Sequence, residues 1–267
     1  ASGLTTALDP VMKACGGTWV AHGSGNADRD VVDNLNIVGV PPEKPKYSLK
    51  RVWLSKQDES GYYYGFANNG LWPLCHIVYT RPIFDESDWN IYKKVNSLFA
   101  DGVLEEVGDK KAFVFIQDYH LALLPKMLKE RNPNIITAQF WHIPWPNPEA
   151  FRVCPWKEEI LSGLLSNDIM GFHIRYHCLN FMDTVDRTLE SRIDKERNEI
   201  SFGGKKTAVL PFPISVDYEQ LNQDSPKDDV STEIERLKYD LGIYDEIIGV
   251  GMDRIDYTKG IPDRLKA

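Results

Sequence analysis

The chain has 267 residues and a formal charge of −8, from 31 Lys and Arg against 39 Asp and Glu. That length suits one large domain or two modest ones. A hydrophobic fraction of 42% beside 26% charged residues is enough to build a packed core. The acidic balance argues against a nucleic-acid partner, whose binding needs clustered Lys and Arg. No apolar run approaches the roughly 20 residues that span a bilayer, which argues against a membrane partner.

No charged-then-apolar leader is visible, so nothing points to export and the cytoplasm is the expected location; the chain opens without a methionine. It closes at Arg264–Ala267 in what reads as the beginning of a helix. A piece of a longer chain is the expectation, against a processed start and a short final helix. Cys15, Cys75, Cys154 and Cys178 form no CxxC pair. That removes a zinc ribbon or thioredoxin-type site and favours reduced, buried thiols.

In chain order, Gly3 to Gly17 reads as a helix that Gly16 and Gly17 stop and Pro10 kinks or shortens. Thr18–Ala21 reads as a strand, residues 22–46 as loop, and Arg51–Leu54 as a second strand. Tyr62 to His76 is an aromatic run, and Asp88 to Val107 a long amphipathic helix with Trp89, Tyr92, Val95, Leu98, Phe99 and Val103 on one stripe. Strands then alternate with helices: Ala112–Ile116, Leu121–Lys129, Ile135–Trp141, Trp156–Leu165, Asp168–Phe172, Tyr176–Leu189 and Lys206–Phe212. Continuous apolar strands in that alternation predict a doubly wound, Rossmann-like α/β fold whose parallel sheet is covered on both faces. Asp217 to Val230 reads as a polar linker, followed by a helix (Thr232–Leu241) and a strand (Ile247–Val250) that opens a second domain.

Parallel sheets of this kind bind ligands at the carboxyl ends of their strands. Asp118, in Ile116-Gln117-Asp118-Tyr119-His120, stands at one such end. It serves either to take hydrogen bonds or a proton from sugar hydroxyls, or to cap the next helix; His120 reads as a packed histidine. His142, in Trp141-His142-Ile143-Pro144-Trp145-Pro146, offers an imidazole to a hydroxyl or phosphate on a loop held by prolines, or is part of a purely structural loop. His173 and His177 are four residues apart, but no further ligands complete a metal site, so structural or capping roles are favoured and no metal is expected. The aromatics Tyr62-Tyr63-Tyr64 through Trp72 either line a sugar site or are core. Gly249-Val250-Gly251 is a weak dinucleotide signature without its third glycine. After it, Arg254 and Lys259 suit a diphosphate, or else pair with Asp253 and Asp256 on a solvated turn.

Taken in order, five stretches resemble trehalose-6-phosphate synthases and related retaining glycosyltransferases, including glucosylglycerol-phosphate synthases. They are Ser2-Gly3-Leu4-Thr5-Thr6-Ala7-Leu8, Tyr63 to His76, Asp118-Tyr119-His120-Leu121, His142-Ile143-Pro144-Trp145-Pro146, and Asp253 to Gly260. Glu159 to Leu165, leading to Gly171-Phe172-His173, is similar as well. The resemblance implies the two-Rossmann-domain glycosyltransferase (GT-B) fold, with residues 1–215 as the acceptor-side domain lacking its first strand. Residues 216–267 would be the linker and the incomplete beginning of the nucleotide-sugar domain.

By the same resemblance, Gly3 belongs to a loop that closes over the donor, and Tyr63, Trp72 and Asp118 contact the acceptor sugar. His142 hydrogen-bonds the donor sugar, and Arg254 and Lys259 hold its diphosphate, so His142, Arg254 and Lys259 are the expected catalytic set. The implied reaction moves glucose from a nucleotide-diphosphate glucose to glucose 6-phosphate with retention. It needs no cofactor beyond that co-substrate. Glycerol 3-phosphate as acceptor and a truncated, non-catalytic subunit are the alternatives. A half-open cleft would expose apolar surface and favour a homo-oligomer.

Overall fold

A computed structural model describes residues 3–225, 227–244 and 246–267. Ala1, Ser2 of the first motif, Pro226 of the expected linker and Asp245 lie outside the described residues. The chain divides into two units, the first ending at Phe212 and the second running from Pro213 to Ala267.

In the first unit, helix α1 (Gly3–Cys15) runs through Pro10 and stops at Gly16 and Gly17, both at positive φ. Tyr47 ties it down by donating its hydroxyl to Asp9 at 3.0 Å. Strands β1 (Thr18–His22), β2 (Ile37–Val40) and β3 (Tyr47–Val52) form a small sheet in the order β1-β3-β2, with β1 parallel and β2 antiparallel to β3. Two expectations are corrected here. Residues 22–46 are not all loop, because Ile37–Val40 pairs with β3. The strand expected at Arg51–Leu54 begins earlier, at Tyr47. Lys50 disguises it: the side chain is buried in mid-strand, bridged to Glu105 at 3.1 Å and donating to the Leu35 carbonyl at 3.3 Å.

The aromatic run folds as helix. After α2 (Lys56–Glu59), Ser60–Leu71 winds in wider turns, as when the Trp72 amide bonds the carbonyl of Ala67 five residues back. Helix α3 (Trp72–His76) completes the run. The wide segment lies against α4 (Glu86–Val107), whose buried stripe Trp89, Tyr92, Val95, Phe99 and Val103 follows the predicted spacing. Phe66 fills the junction, with ring centroids 4.6 Å from Tyr92 and 4.9 Å from Trp89. Most of the aromatic run is therefore core, while Tyr63 and Tyr64 stay exposed.

The larger sheet follows, built from β4 (Phe113–Gln117), α5 (Leu124–Arg131), β5 (Ile136–Phe140), α6 (Pro148–Phe151), α7 (Lys157–Leu164), β6 (Ile169–Phe172), α8 (Arg175–Thr188), β7 (Arg192–Asp194), β8 (Glu199–Phe202) and β9 (Lys205–Pro211). Its order is β4-β5-β6-β9-β8-β7, with β4, β5, β6 and β9 parallel and β8 and β7 added antiparallel. The parallel core matches the sequence expectation, and the β7–β8 addition does not appear in it. Nor is the sheet covered on both faces throughout. At the β4 edge, Phe113, Phe115 and Ile136 stand exposed on one face, which no element among the described residues covers.

In the second unit, α9 (Tyr218–Asp224) and α10 (Asp228–Leu241) occupy most of the expected linker, and α11 (Ile261–Lys266) follows a tight turn at Tyr257–Lys259. The strand expected at Ile247–Val250 does not form. Among the described residues this unit holds no strand for it to pair with, and its Ile247 and Val250 are fully or nearly fully exposed.

Candidate functional site

The first unit gathers polar side chains at the carboxyl ends of β4 and β5, where parallel sheets place their ligands. Gln117 is the last residue of β4, and Asp118 turns the chain out of the strand with φ 68° and ψ 178°. A non-glycine residue at positive φ costs on the order of 1–3 kcal/mol and persists only where its surroundings over-determine it. Here they do. The Asp118 amide donates to Phe140 O at 2.7 Å, and its own carbonyl takes the Gln139 side chain at 3.0 Å. Its Oδ1 accepts from the Tyr119 amide at 2.9 Å and the His142 amide at 3.2 Å. Asp118 is thus both a local cap and the clasp between the β4 and β5 loops.

Burial pushes the Asp118 carboxyl up to about 7, the two backbone bonds offsetting only part of that cost. His120 and His142 move the other way, both down to about 4, chiefly through burial. His142 opposes the charge of His120, and His173 that of His142. At neutral pH both imidazoles are therefore uncharged. The His120 ring stacks on Tyr63 at 5.1 Å and 10°, with Nδ1 4.0 Å from Asp118 Oδ2. His142 Nε2 lies 2.9 Å from Gln117 Oε1.

The Asp118 shift has a sign that stability measurements can read. Between about pH 4 and 7 the folded state holds a proton that the unfolded chain has released, so this group stabilises most below that window. The contribution is lost as pH rises through 7. Asp118→Asn keeps an oxygen for the two amides without the charge. Relative to the parent, it should gain about 4 kcal/mol between pH 4 and pH 8 in denaturant unfolding. A difference that stays constant across that range would contradict the raised carboxyl.

A cavity of about 320 Å³ opens beside these residues, lined among others by His22, Ser24, Glu59, Tyr63, Gln117 and His120. Of the residues singled out in the sequence, Tyr63 lines it. Asp118 and His142 reach it through His120 and Gln117, and Trp72 packs one layer away, 6.1 Å from the Tyr119 ring. Gly3 stands at the start of α1 rather than in a loop, and no hydrogen bond joins it to this cluster among the described residues. His173 and His177 hold the His142 loop by donating to the carbonyls of His142 (3.0 Å) and Trp145 (3.3 Å).

Arg254 and Lys259 belong to the second unit, where both are exposed. Asp253 bridges to Arg264 at 2.7 Å, and Asp256 accepts from the Thr258 amide and hydroxyl at 2.9 and 2.8 Å while Arg254 and Lys259 both act on its charge, as the solvated-turn reading expects. The residues that sequence reasoning passed over are Gln117, His22, Ser24 and Glu59. Gln117 was legible, since a single polar residue closing an apolar strand is where the strand-end rule points.

The full length of the chain, residues 1–267, matches the model of glycosyltransferase family 20. The chain belongs to that family. Among curated family members it is 35% identical over 272 residues to trehalose-6-phosphate synthase of Mycolicibacterium vanbaalenii, covering 99% of this chain and 54% of that protein. The Mycobacterium tuberculosis trehalose-6-phosphate synthase is 36% identical, with 99% and 54% covered. A solved Escherichia coli structure, described as bound with UDP-2-fluoro glucose, superposes with a TM-score of 0.84 at 29% identity, over 100% of this chain and 57% of that one. The chain thus spans about half the length of the relatives it matches, and its α/β fold is the N-terminal half of the family's GT-B fold.

Proposed function

We propose that the protein to which this chain contributes transfers glucose from a nucleotide-diphosphate glucose to glucose 6-phosphate with retention, forming trehalose 6-phosphate. One observation carries the reading. In a family 20 chain, Tyr63, His120, Gln117, Asp118 and His142 converge at the strand ends around a cavity of about 320 Å³. Tyr63 offers a ring to the CH face of a pyranose, with Trp72 packed one layer behind on the acceptor side, and Asp118 offers Oδ2 to its hydroxyls. His142 serves the donor sugar and Gly3, at the start of α1, closes over it, while Arg254 and Lys259 neutralise the departing diphosphate. With those cations in place, the chemistry calls for no cofactor beyond the nucleotide sugar. The reading sets this reaction in the cytoplasm, in keeping with four free cysteines, three of them buried.

The test is direct. Full-length protein is incubated with UDP-, ADP- or GDP-glucose and either glucose 6-phosphate or glycerol 3-phosphate, and products are followed by NMR. The expected product is trehalose 6-phosphate with both anomeric centres α. No transfer with any donor and acceptor would end the proposal, and transfer to glycerol 3-phosphate alone would move it to the related synthase activity.

A further inference from the structure

His142 is held at almost every hydrogen-bonding group it owns. Its amide donates to Asp118 Oδ1 at 3.2 Å, and its carbonyl accepts His173 Nε2–H at 3.0 Å. Phe140 stands edge-on to the ring at 4.7 Å. The one side-chain hydrogen bond runs from Nε2 to Gln117 Oε1 at 2.9 Å. With the Gln117 amide oriented so that its oxygen meets the ring, Nε2 carries the proton, since an amide oxygen can only accept. Burial, and then the like charge that His173 would carry, hold the His142 imidazole down to about 4 and so neutral at neutral pH. A neutral imidazole with its proton on Nε2 has a lone pair on Nδ1.

We propose that Gln117 is a positioning residue for His142: its Oε1 selects the Nε2–H tautomer, which leaves Nδ1 as an acceptor, able to engage a sugar hydroxyl rather than a phosphate oxygen. A phosphate oxygen at neutral pH has no proton to offer Nδ1, whereas a hydroxyl does. The assignment refines the expectation that this imidazole donates. It also gives a use to the residue that closes β4. Gln117 lines the cavity, and its Nε2 is buried without a hydrogen-bond partner, which suits a second contact, to a ligand oxygen. Gln117 would then link the cavity to His142 through a single amide. The kinetic consequence rests on the transferase reading above; the tautomer does not.

The experiment is nitrogen-15 imidazole NMR on this chain, with the His142 resonances assigned by His142→Gln. The parent should show a single neutral form protonated at Nε2. Gln117→Leu, which removes the acceptor at similar volume, should give a mixture of tautomers. Gln117→Glu, which keeps an acceptor in place, should retain Nε2–H. A parent protonated at Nδ1, or a Gln117→Leu spectrum unchanged at His142, overturns the proposal. Should Gln117→Leu fail to fold, the parent and Gln117→Glu spectra still decide it. In the full-length enzyme, Gln117→Leu should lower kcat about tenfold, the scale of one lost hydrogen bond, with acceptor KM within about twofold. Unchanged kcat beside an altered tautomer would overturn the positioning role while leaving the transferase reading intact.

Discussion

Gly163→Ala should unfold several degrees below the parent, although alanine is the better helix former. Gly163 lies in α7 where that helix meets the turn following Tyr119–Leu121, the turn that carries Asp118 and His120 into the site. A Cβ at this position would stand 2.3 Å from the Ala122 carbonyl oxygen and 3.1 Å from Leu123 Cα. Both are backbone atoms, so no rotamer change relieves the overlap, and helix and turn must separate by about 1 Å. The Leu123 and Leu124 amides are anchored to Asn96 Oδ1 at 3.2 and 3.1 Å, and the Ala122 amide to the Tyr92 hydroxyl at 3.0 Å. Separation therefore stretches buried hydrogen bonds as well as opening the packing. Overpacking costs about 3 kcal/mol or more, against about 1 kcal/mol gained in helix propensity. The net loss of about 2 kcal/mol corresponds to a Tm drop of roughly 4–8 °C. Ser162→Ala, one residue away, should change stability by less than about 0.5 kcal/mol. Calorimetry showing Gly163→Ala at or above the parent Tm would mean that α7 yields freely and that this contact does not fix the turn.

That glycine marks what the sequence could and could not display. The long helix at α4 and the parallel strands β4, β5, β6 and β9 were readable because their apolar residues repeat at helical spacing or run unbroken. The elements that escaped notice break those rules locally. Lys50 puts a charge in the middle of β3, and its neutralisation by Glu105 is a tertiary event. The β8–β9 hairpin turns at Gly203 and Gly204, both at positive φ, a two-residue signal that was present in the chain but weak beside its polar strands. The wide-turn helix over Ser60–Leu71 follows from packing on α4, where a Cβ at Gly65 would come within 2.3 Å of Asp88 Oδ2. No periodicity announces that.

The site shows the same division. Asp118 and His142 were legible as polar residues at strand ends. Their joining was not, because it depends on a residue at positive φ and on one carboxylate oxygen shared between two loops. His120 was read as packed, and it is, against Tyr63, yet it also lines the cavity with a buried, unpartnered Nε2. Packing and ligand contact are not exclusive roles for an imidazole. The shift of its pKa to about 4 follows from the first role and would govern the second.

Arg254→Ala in the full-length enzyme should cut kcat by about 10²–10³ while acceptor KM changes by less than about threefold. In a retaining transfer without a covalent enzyme intermediate, negative charge builds on the departing diphosphate as the glycosidic bond breaks. A fixed cation there stabilises the transition state more than the ground state, and one such group is worth roughly 10²–10³ in kcat. The backbone of the turn that carries them is anchored. Asp256 caps the turn Tyr257–Lys259 through Thr258, and Gly260, at φ 58°, reverses the chain into α11. Burial raises the Asp256 carboxyl, but the Thr258 bonds, then Arg254 and Lys259, bring it below its usual range, so it stays ionised as an anchor at neutral pH. If Arg254 holds the diphosphate as proposed, Arg254→Lys keeps the charge but not a planar fork able to bind two phosphate oxygens, and should recover only part of the loss. Lys259→Ala should be impaired in the same direction. The comparison separates charge from geometry: full recovery by Arg254→Lys would mean that charge alone matters. Normal turnover in Arg254→Ala would place the leaving-group stabilisation elsewhere and remove Arg254 from the reaction.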